Sequence, residues 1–215
     1  MTRQVLLTID VEYPDREHGE GKLWDIVRAL DHKPAVLFFE GRWAEAHPQQ
    51  LESVAEFQEL LIGNHGYWHV DRGQVEDAAP SLDAVNFIKG YHVLVRILGE
   101  KRLLPLLARF PYGGNPPGVA EICGARVLGW DIHCDDCVFR RPQLVFEELV
   151  SKTKECVKEP AIVLLHHWAE NTEQVLADYI KWCKAEGITF AERPTRSSTR
   201  RINDAAESLP ARPAE

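Results

Sequence analysis

The chain has 215 residues, 45% hydrophobic and 27% charged, which suits one sizeable domain with its own core and excludes a disordered chain. A formal net charge of -8 disfavours a nucleic-acid binder, which needs a basic surface to displace condensed counterions. No apolar run approaches the roughly 20 residues that cross a bilayer, and Met1 leads through Arg3 straight into strand-like sequence without a cleavage site. A soluble, cytoplasmic protein with no signal peptide is therefore expected.

In chain order, short apolar runs at 4–10, 35–39, 60–64, 125–130, 161–165 and 188–191 predict strands. Amphipathic stretches at 22–32, 43–59, 81–98, 116–123, 142–158 and 171–186 predict helices. In the last of these Val175, Tyr179 and Trp182 form one stripe, with Asp178, Lys181 and Lys184 outside it, the pattern of a helix covering a sheet. Alternation of this kind predicts a parallel sheet with crossover helices. Because candidate functional groups end several separate strands, a barrel is favoured over an open sheet.

No Walker sequence appears and no G-x-G-x-x-G follows the first strand, so a nucleotide fold is poorly supported. No internal repeat of fixed period is present. From Arg193 the chain turns Pro-, Ser- and Arg-rich, which divides it into a domain over 1–192 and a tail over 193–215. The five cysteines (Cys123, Cys134, Cys137, Cys156, Cys183) are odd in number and irregularly spaced, so they form no disulfide framework. A single C-x-x-C at Cys134–Cys137 excludes a zinc ribbon and is expected to be two reduced bystander thiols.

The candidate chemistry sits at strand ends. Asp10 and Glu12 close the first apolar run, His65 and His69 follow the third in Asn64-His65-Gly66-Tyr67-Trp68-His69, and His166 closes the run Ala161–Leu165. Barrel and open-sheet α/β enzymes assemble their sites at such C-terminal strand ends. Two imidazoles four residues apart can face one metal.

Five segments then occur in order: Thr8-Ile9-Asp10-Val11-Glu12, His65-Gly66-Tyr67-Trp68-His69, Arg109-Phe110-Pro111-Tyr112-Gly113, Trp130 through Asp136, and Leu164-Leu165-His166. Together they resemble the polysaccharide deacetylase family, the NodB-homology or carbohydrate esterase family 4 enzymes, over about residues 4 to 191. The segment Ala35–Gly41 with His47-Pro48 after it is similar to the family's second strand and following helix.

The resemblance implies a distorted (β/α) barrel and metal-dependent removal of an N-acetyl group from an amino sugar or an amino-sugar-containing glycan. By position, His65 and His69 correspond to the two imidazole ligands and a first-motif carboxylate to the third. Such a set leaves positions open on Zn²⁺ for water and a substrate carbonyl; Co²⁺, Ni²⁺ and Mn²⁺ suit the same donors. Asp10 corresponds to the general base that activates the metal-bound water, His166 to the general acid, and Arg109 to the arginine that orients the base. Tyr112 is similar to the tyrosine whose backbone N–H faces the oxyanion, and it also belongs, with Trp168 and Leu164, to the implied substrate wall.

Three departures from the family pattern bear on the site. The first motif usually shows adjacent aspartates, whereas here Val11 separates Asp10 from Glu12; residues two apart share a strand face, so Glu12 could bind metal while Asp10 stays the base. Asp15 and Glu40 are the other carboxylates that could stand in its place. In the fourth motif Asp136 holds the position that pairs with the acid histidine, with Asp131 and Asp135 as neighbours that a bulge could substitute. His133 stands where an aspartate is expected, and Cys137 replaces a tryptophan that walls the acetyl pocket. A wider acyl pocket is expected unless Trp168 or Trp130 fills it. In the fifth motif His167 follows His166 and should point to the opposite face, as packing or surface. Two alternatives stand beside the deacetylase: a related hydrolase of another C–N bond, in a formylated sugar lipid or a cyclic amide, and a non-catalytic glycan-binding member of the family.

Overall fold

The first apolar run folds as strand β1 (Gln4–Val11), and its alternation of faces separates two hydrophobic clusters. Val5, Leu7, Ile9 and Val11 point to one side, into the large cluster shared with the helices. Leu6 points to the other side, into a smaller cluster with Val36, Phe38, Leu107, Leu128 and Ile162. With a side-chain period of two, Thr8 and Asp10 follow Leu6 on that inner face.

The computed structural model describes residues 3–13, 22–69, 80–103, 106–113, 124–137 and 141–195. After β1 come α1 (Lys22–Leu30), β2 (Ala35–Phe39), α2 (Gly41–Ala46), α3 (Pro48–Ala55), β3 (Leu60–Asn64), α4 (Pro80–Leu98) and β4 (Leu107–Ala108). The second half adds β5 (Arg126–Val127), β6 (Ile132–His133), α5 (Pro142–Glu155), β7 (Ala161–His166), α6 (Thr172–Ala185) and β8 (Thr189–Phe190). The strands form one sheet in the order β5-β4-β3-β2-β1-β7-β6, with β8 pairing the start of β1, and the pairings are parallel. The inner cluster fills the curl of the sheet and the helices cover its outside, giving the expected α/β distorted barrel. Among the described residues no pairing joins β5 to β6.

Several elements differ from expectation. The helix expected over 43–59 is two helices broken at His47, because Pro48 lacks an N–H and disfavours a helical residue before it; His47 takes φ -130° and ψ 49°. The strands expected over 125–130 and 188–191 shrink to two residues each, and β4 and β6, also of two residues, were not expected. Helix α5 stops at Glu155, since Cys156 is already extended. On α6 the buried stripe is Val175, Leu176, Tyr179, Ile180 and Cys183, with Trp182 at its margin. The expected helix 116–123, Cys123, Asp15 and the tail beyond Thr195 lie outside the described residues. Cys134, Cys137, Cys156 and Cys183 are free thiols. No helix among the described residues is long and apolar enough to cross a membrane.

Candidate active site

Inside the barrel, the side chains stack in layers toward the C-terminal strand ends. Above Leu6, Thr8 is in register with Val36 and Asp10 with Phe38, and over the Phe38 ring lies the guanidinium of Arg109, 4.4 Å from the ring centroid. Phe38 fits because β3 carries Gly63 beside it: a Cβ there would lie 2.4 Å from the ring. Arg109 is 1% exposed and accounts for its charge through hydrogen bonds. Its Nε donates to Leu128 O (3.1 Å), Nη2 to Thr8 Oγ1 (2.8 Å) and Gly129 O (3.0 Å), and Nη1 to Asp10 Oδ1 (2.9 Å). A buried guanidinium needs this degree of satisfaction to offset its desolvation.

Asp10, 3% exposed at the end of β1, therefore has one oxygen held by Arg109 while Oδ2 stands 3.7 Å from His65 Nε2. Glu12, two residues on, reaches the same place, as a shared strand face requires. Its Oε2 lies 3.1 Å from His65 Nε2 and 3.5 Å from His69 Nε2. Donor atoms of Glu12, His65 and His69 all fall within 4.8 Å of one another.

His65 Nδ1–H donates to Arg109 O at 2.8 Å, and Nε2 pairs with Glu12 Oε2 at 3.1 Å, so loss of the Nε2 proton would turn that nitrogen into a lone-pair donor facing the same place as Glu12. Burial works against a charge on His65, but Asp10, Glu12 and the Arg109 carbonyl outweigh it and raise its pKa. His69 is driven the other way, chiefly by burial, and stays neutral. Glu12 is buried too, yet the surrounding histidines hold its carboxyl well below the usual carboxylate range. An ionised carboxylate and two imidazole nitrogens converge here, and with the proton displaced from His65 Nε2 they form a donor set that fits a divalent cation of borderline softness.

The loop carrying the histidines is fixed by its own backbone. The N–H groups of His65 through His69 all find acceptors: Phe39 O, Asn64 Oδ1, Asn86 O and Oδ1, Asn86 Oδ1 again, and Glu40 Oε1. Gly66 takes φ 80°, and helix α4 comes so close behind it that a Cβ on Gly90 would sit 2.4 Å from the Gly66 carbonyl. Sequence reasoning missed Asn64, Asn86 and Gly90. A glycine in mid-helix and an asparagine ending an apolar strand were the available signals. Glu40 was read as a substitute ligand, but its oxygens are taken by the backbone N–H groups of Tyr13 and His69.

On the other side of β1, Asp10 is in register with His166 of β7. Asp136 Oδ1 accepts His166 Nδ1–H at 2.8 Å, and Oδ2 accepts the His166 backbone N–H at 2.7 Å. Asp131 instead caps the start of β7 through Ile162 N and pairs with Lys158, and Asp135 pairs with His133, so neither substitutes for Asp136. Burial opposes a charge on His166, but the charge and hydrogen bond of Asp136, with Glu12 and Asp10 adding, push its pKa up to about 10. Cys137 stands beside this pair, and partial burial followed by Asp136 and Asp135 pushes its thiol up to about 12.

The remaining expected residues lie at different depths around the site. Tyr112 adopts φ 58°, a left-handed conformation costing roughly 1–2 kcal/mol, and sets its ring edge-on to His69 with centroids 4.4 Å apart. Gly113 packs on Trp130, where a Cβ would lie 2.7 Å from the indole. Trp168 turns into the site and donates its indole N–H to Glu12 Oε1 at 3.0 Å, with His166 beside it. Leu164 is buried one layer below His166, in register with Thr8. His167 is buried against Trp43 on the outer side and accepts the Glu12 backbone N–H at 3.4 Å; burial pushes its pKa down to about 4, which suits an acceptor.

The description of a polysaccharide deacetylase matches residues 2–126, more than half of the chain. The chain belongs to the polysaccharide deacetylase family. Solved structures of similar fold include the peptidoglycan deacetylase PdaC from Bacillus subtilis, at 17% identity and TM-score 0.72 over 96% of this chain and 94% of that one. A family 4 carbohydrate esterase from Streptomyces lividans, in complex with acetate, gives 17% identity and TM-score 0.69 over 88% and 92%. A family 4 carbohydrate esterase pseudoenzyme from Bacillus anthracis gives 20% and 0.73 over 88% and 63%. No curated protein matches the chain. The structural likenesses show the family's fold, which is known both in enzymes and in a pseudoenzyme, so activity has to be argued from the site.

Proposed function

We propose that the protein is a metal-dependent hydrolase that removes an N-acetyl group from an amino sugar or an amino-sugar-containing glycan. One observation carries this reading: a carboxylate fixed by arginine, Asp10 on Arg109, and an imidazole fixed by carboxylate, His166 on Asp136, are adjacent in register around the donors Glu12, His65 and His69. Bound to those donors, a divalent cation, Zn²⁺ by default, would supply Lewis acidity to the amide carbonyl and the attacking water.

Asp10 is the base. Arg109 restrains Oδ1 and leaves Oδ2 to take the water's proton as the oxygen attacks the acetyl carbon. The backbone N–H of Tyr112 receives the charge that develops on the carbonyl oxygen. His166, protonated because Asp136 holds it so, passes its proton to the amide nitrogen as the C–N bond breaks, releasing acetate and a free amine. Tyr112, Trp168 and Leu164 wall the acyl group. A binding-only member of the family has no need of the base and acid pairs, and their presence here favours turnover.

The test is acetate release from N-acetylglucosamine oligomers by zinc-reconstituted protein, abolished by chelation and restored by added metal. A zinc-loaded protein that releases no acetate but cleaves a formylated or cyclic amide supports the neighbouring hydrolase, and one that only binds glycans refutes catalysis.

A further inference from the structure

One buried carboxylate joins the two segments that carry the metal donors. Glu40 directly follows β2, a strand buried along its whole length, and is itself 0% exposed. Its Oε2 accepts the backbone N–H of Tyr13 at 2.6 Å, its Oε1 accepts the backbone N–H of His69 at 3.1 Å, and Oε1 also lies 3.3 Å from Arg42 Nε. Tyr13 is the residue after Glu12. One side chain therefore spans the loop that ends in one donor and the loop that ends in another.

Packing alone does not explain the choice of residue. The position closes a wholly apolar strand, and an aliphatic side chain there would avoid the several kcal/mol that burying a carboxylate costs. It would also leave two part-buried backbone N–H groups, on different loops, without these acceptors. A carboxylate is the side chain whose two oxygens can accept from both loops at once, while Arg42 balances its charge. The two loops approach the site from β1 and β3, and β2 with Glu40 lies between them in the sheet.

We propose that Glu40 is a positioning residue that sets the metal affinity of the centre by fixing the Glu12 and His69 donors relative to each other. This rests on the reading of Glu12, His65 and His69 as ligands, and it holds for any acylated substrate. Glu40→Gln keeps the size of the side chain but offers one acceptor oxygen, so its NH₂ group confronts one of the two backbone N–H donors and releases that loop. Glu40→Leu releases both.

The experiment measures the zinc dissociation constant by competition with a chromophoric chelator, beside the melting temperature of the metal-free protein. Supporting groups behind metal ligands are typically worth about 10–100-fold in affinity, so Glu40→Gln should weaken zinc binding by that factor and Glu40→Leu by more. A merely structural role lowers the metal-free melting temperature and leaves the dissociation constant within about threefold of wild type, short of that range, which overturns the proposal. Where neither variant folds, amide hydrogen exchange in the metal-free wild-type protein decides: slow exchange at both Tyr13 and His69 supports the clamp, and fast exchange at either refutes it. Absence of zinc binding by the wild-type protein refutes the ligand reading itself, a result distinct from wild-type affinity surviving in the variants.

Discussion

Asp136→Asn removes the charge behind His166 while keeping an oxygen that can accept the ring N–H. In the wild-type protein burial disfavours the imidazolium, and Asp136 more than offsets it, lifting the pKa to about 10. Without that charge the ring falls toward its ordinary value of about 6.5, with burial still lowering it and Glu12 and Asp10 still raising it. The proposed acid acts only when protonated, so activity is present below this pKa and lost as pH rises through it. At about pH 8 the wild-type ring is about 99% protonated and a ring at about 6.5 only about 3%, a fall of about 30-fold; at about pH 6 most rings in either protein carry the proton and the variant should lose little. The assay is kcat/KM for acetate release between about pH 5.5 and 10, with zinc content checked at each pH. An alkaline limb that stays in place in Asp136→Asn refutes the assignment of His166 as the acid held by Asp136.

His65→Ala and His69→Ala should each lose bound metal while retaining the wild-type circular dichroism, because the helices rest on a core separate from the site; stoichiometric metal in both by elemental analysis would overturn the ligand set. Asp10→Asn should keep metal and lose about 10²-fold or more in turnover, the usual worth of a general base, and near-normal rates would reassign that role. Gly90→Ala places a methyl 2.4 Å from the Gly66 carbonyl; it should cost about 1–3 kcal/mol in denaturant unfolding, and an unchanged midpoint would show that α4 can move away. Because Cys137 stands where the family carries an indole, N-propionyl sugars should compete with N-acetyl ones within about two orders of magnitude in kcat/KM, and Cys137→Trp should narrow the range; if the wild-type protein already rejects propionyl, Trp168 closes the pocket.

What the sequence revealed of this site depends on how far each signal reaches along the chain. The pairing of Asp10 with Glu12 was legible because strand periodicity alone puts residues two apart on one face, and β1 obeys it from Leu6 to Asp10. Long apolar runs such as Ala35–Phe39 and Ala161–His166 were legible for the same local reason. The two-residue strands β4 and β6 were not, since their pairing depends on neighbours far away in sequence, Gly63–Asn64 for one and Val163–Leu164 for the other.

The framework behind the ligands marks the sharper boundary. Asn64, Asn86 and Glu40 act on backbone groups of one short loop, and their own neighbourhoods do not name that partner: Asn86 lies within α4, where an asparagine is ordinarily a solvated position. A charge directly after five apolar residues was the visible anomaly at Glu40, and it invited a ligand reading because carboxylates near histidines commonly bind metal. The structure shows where that inference went astray. Glu40 extends between two loops, where its two oxygens accept the backbone N–H groups of Tyr13 and His69, and it stands outside the donor cluster of Glu12, His65 and His69. The residue type drew attention to the proposed metal site, but the partners of Glu40 are peptide N–H groups, and only the packing of β2 between β1 and β3 decides which of the two a buried carboxylate will find.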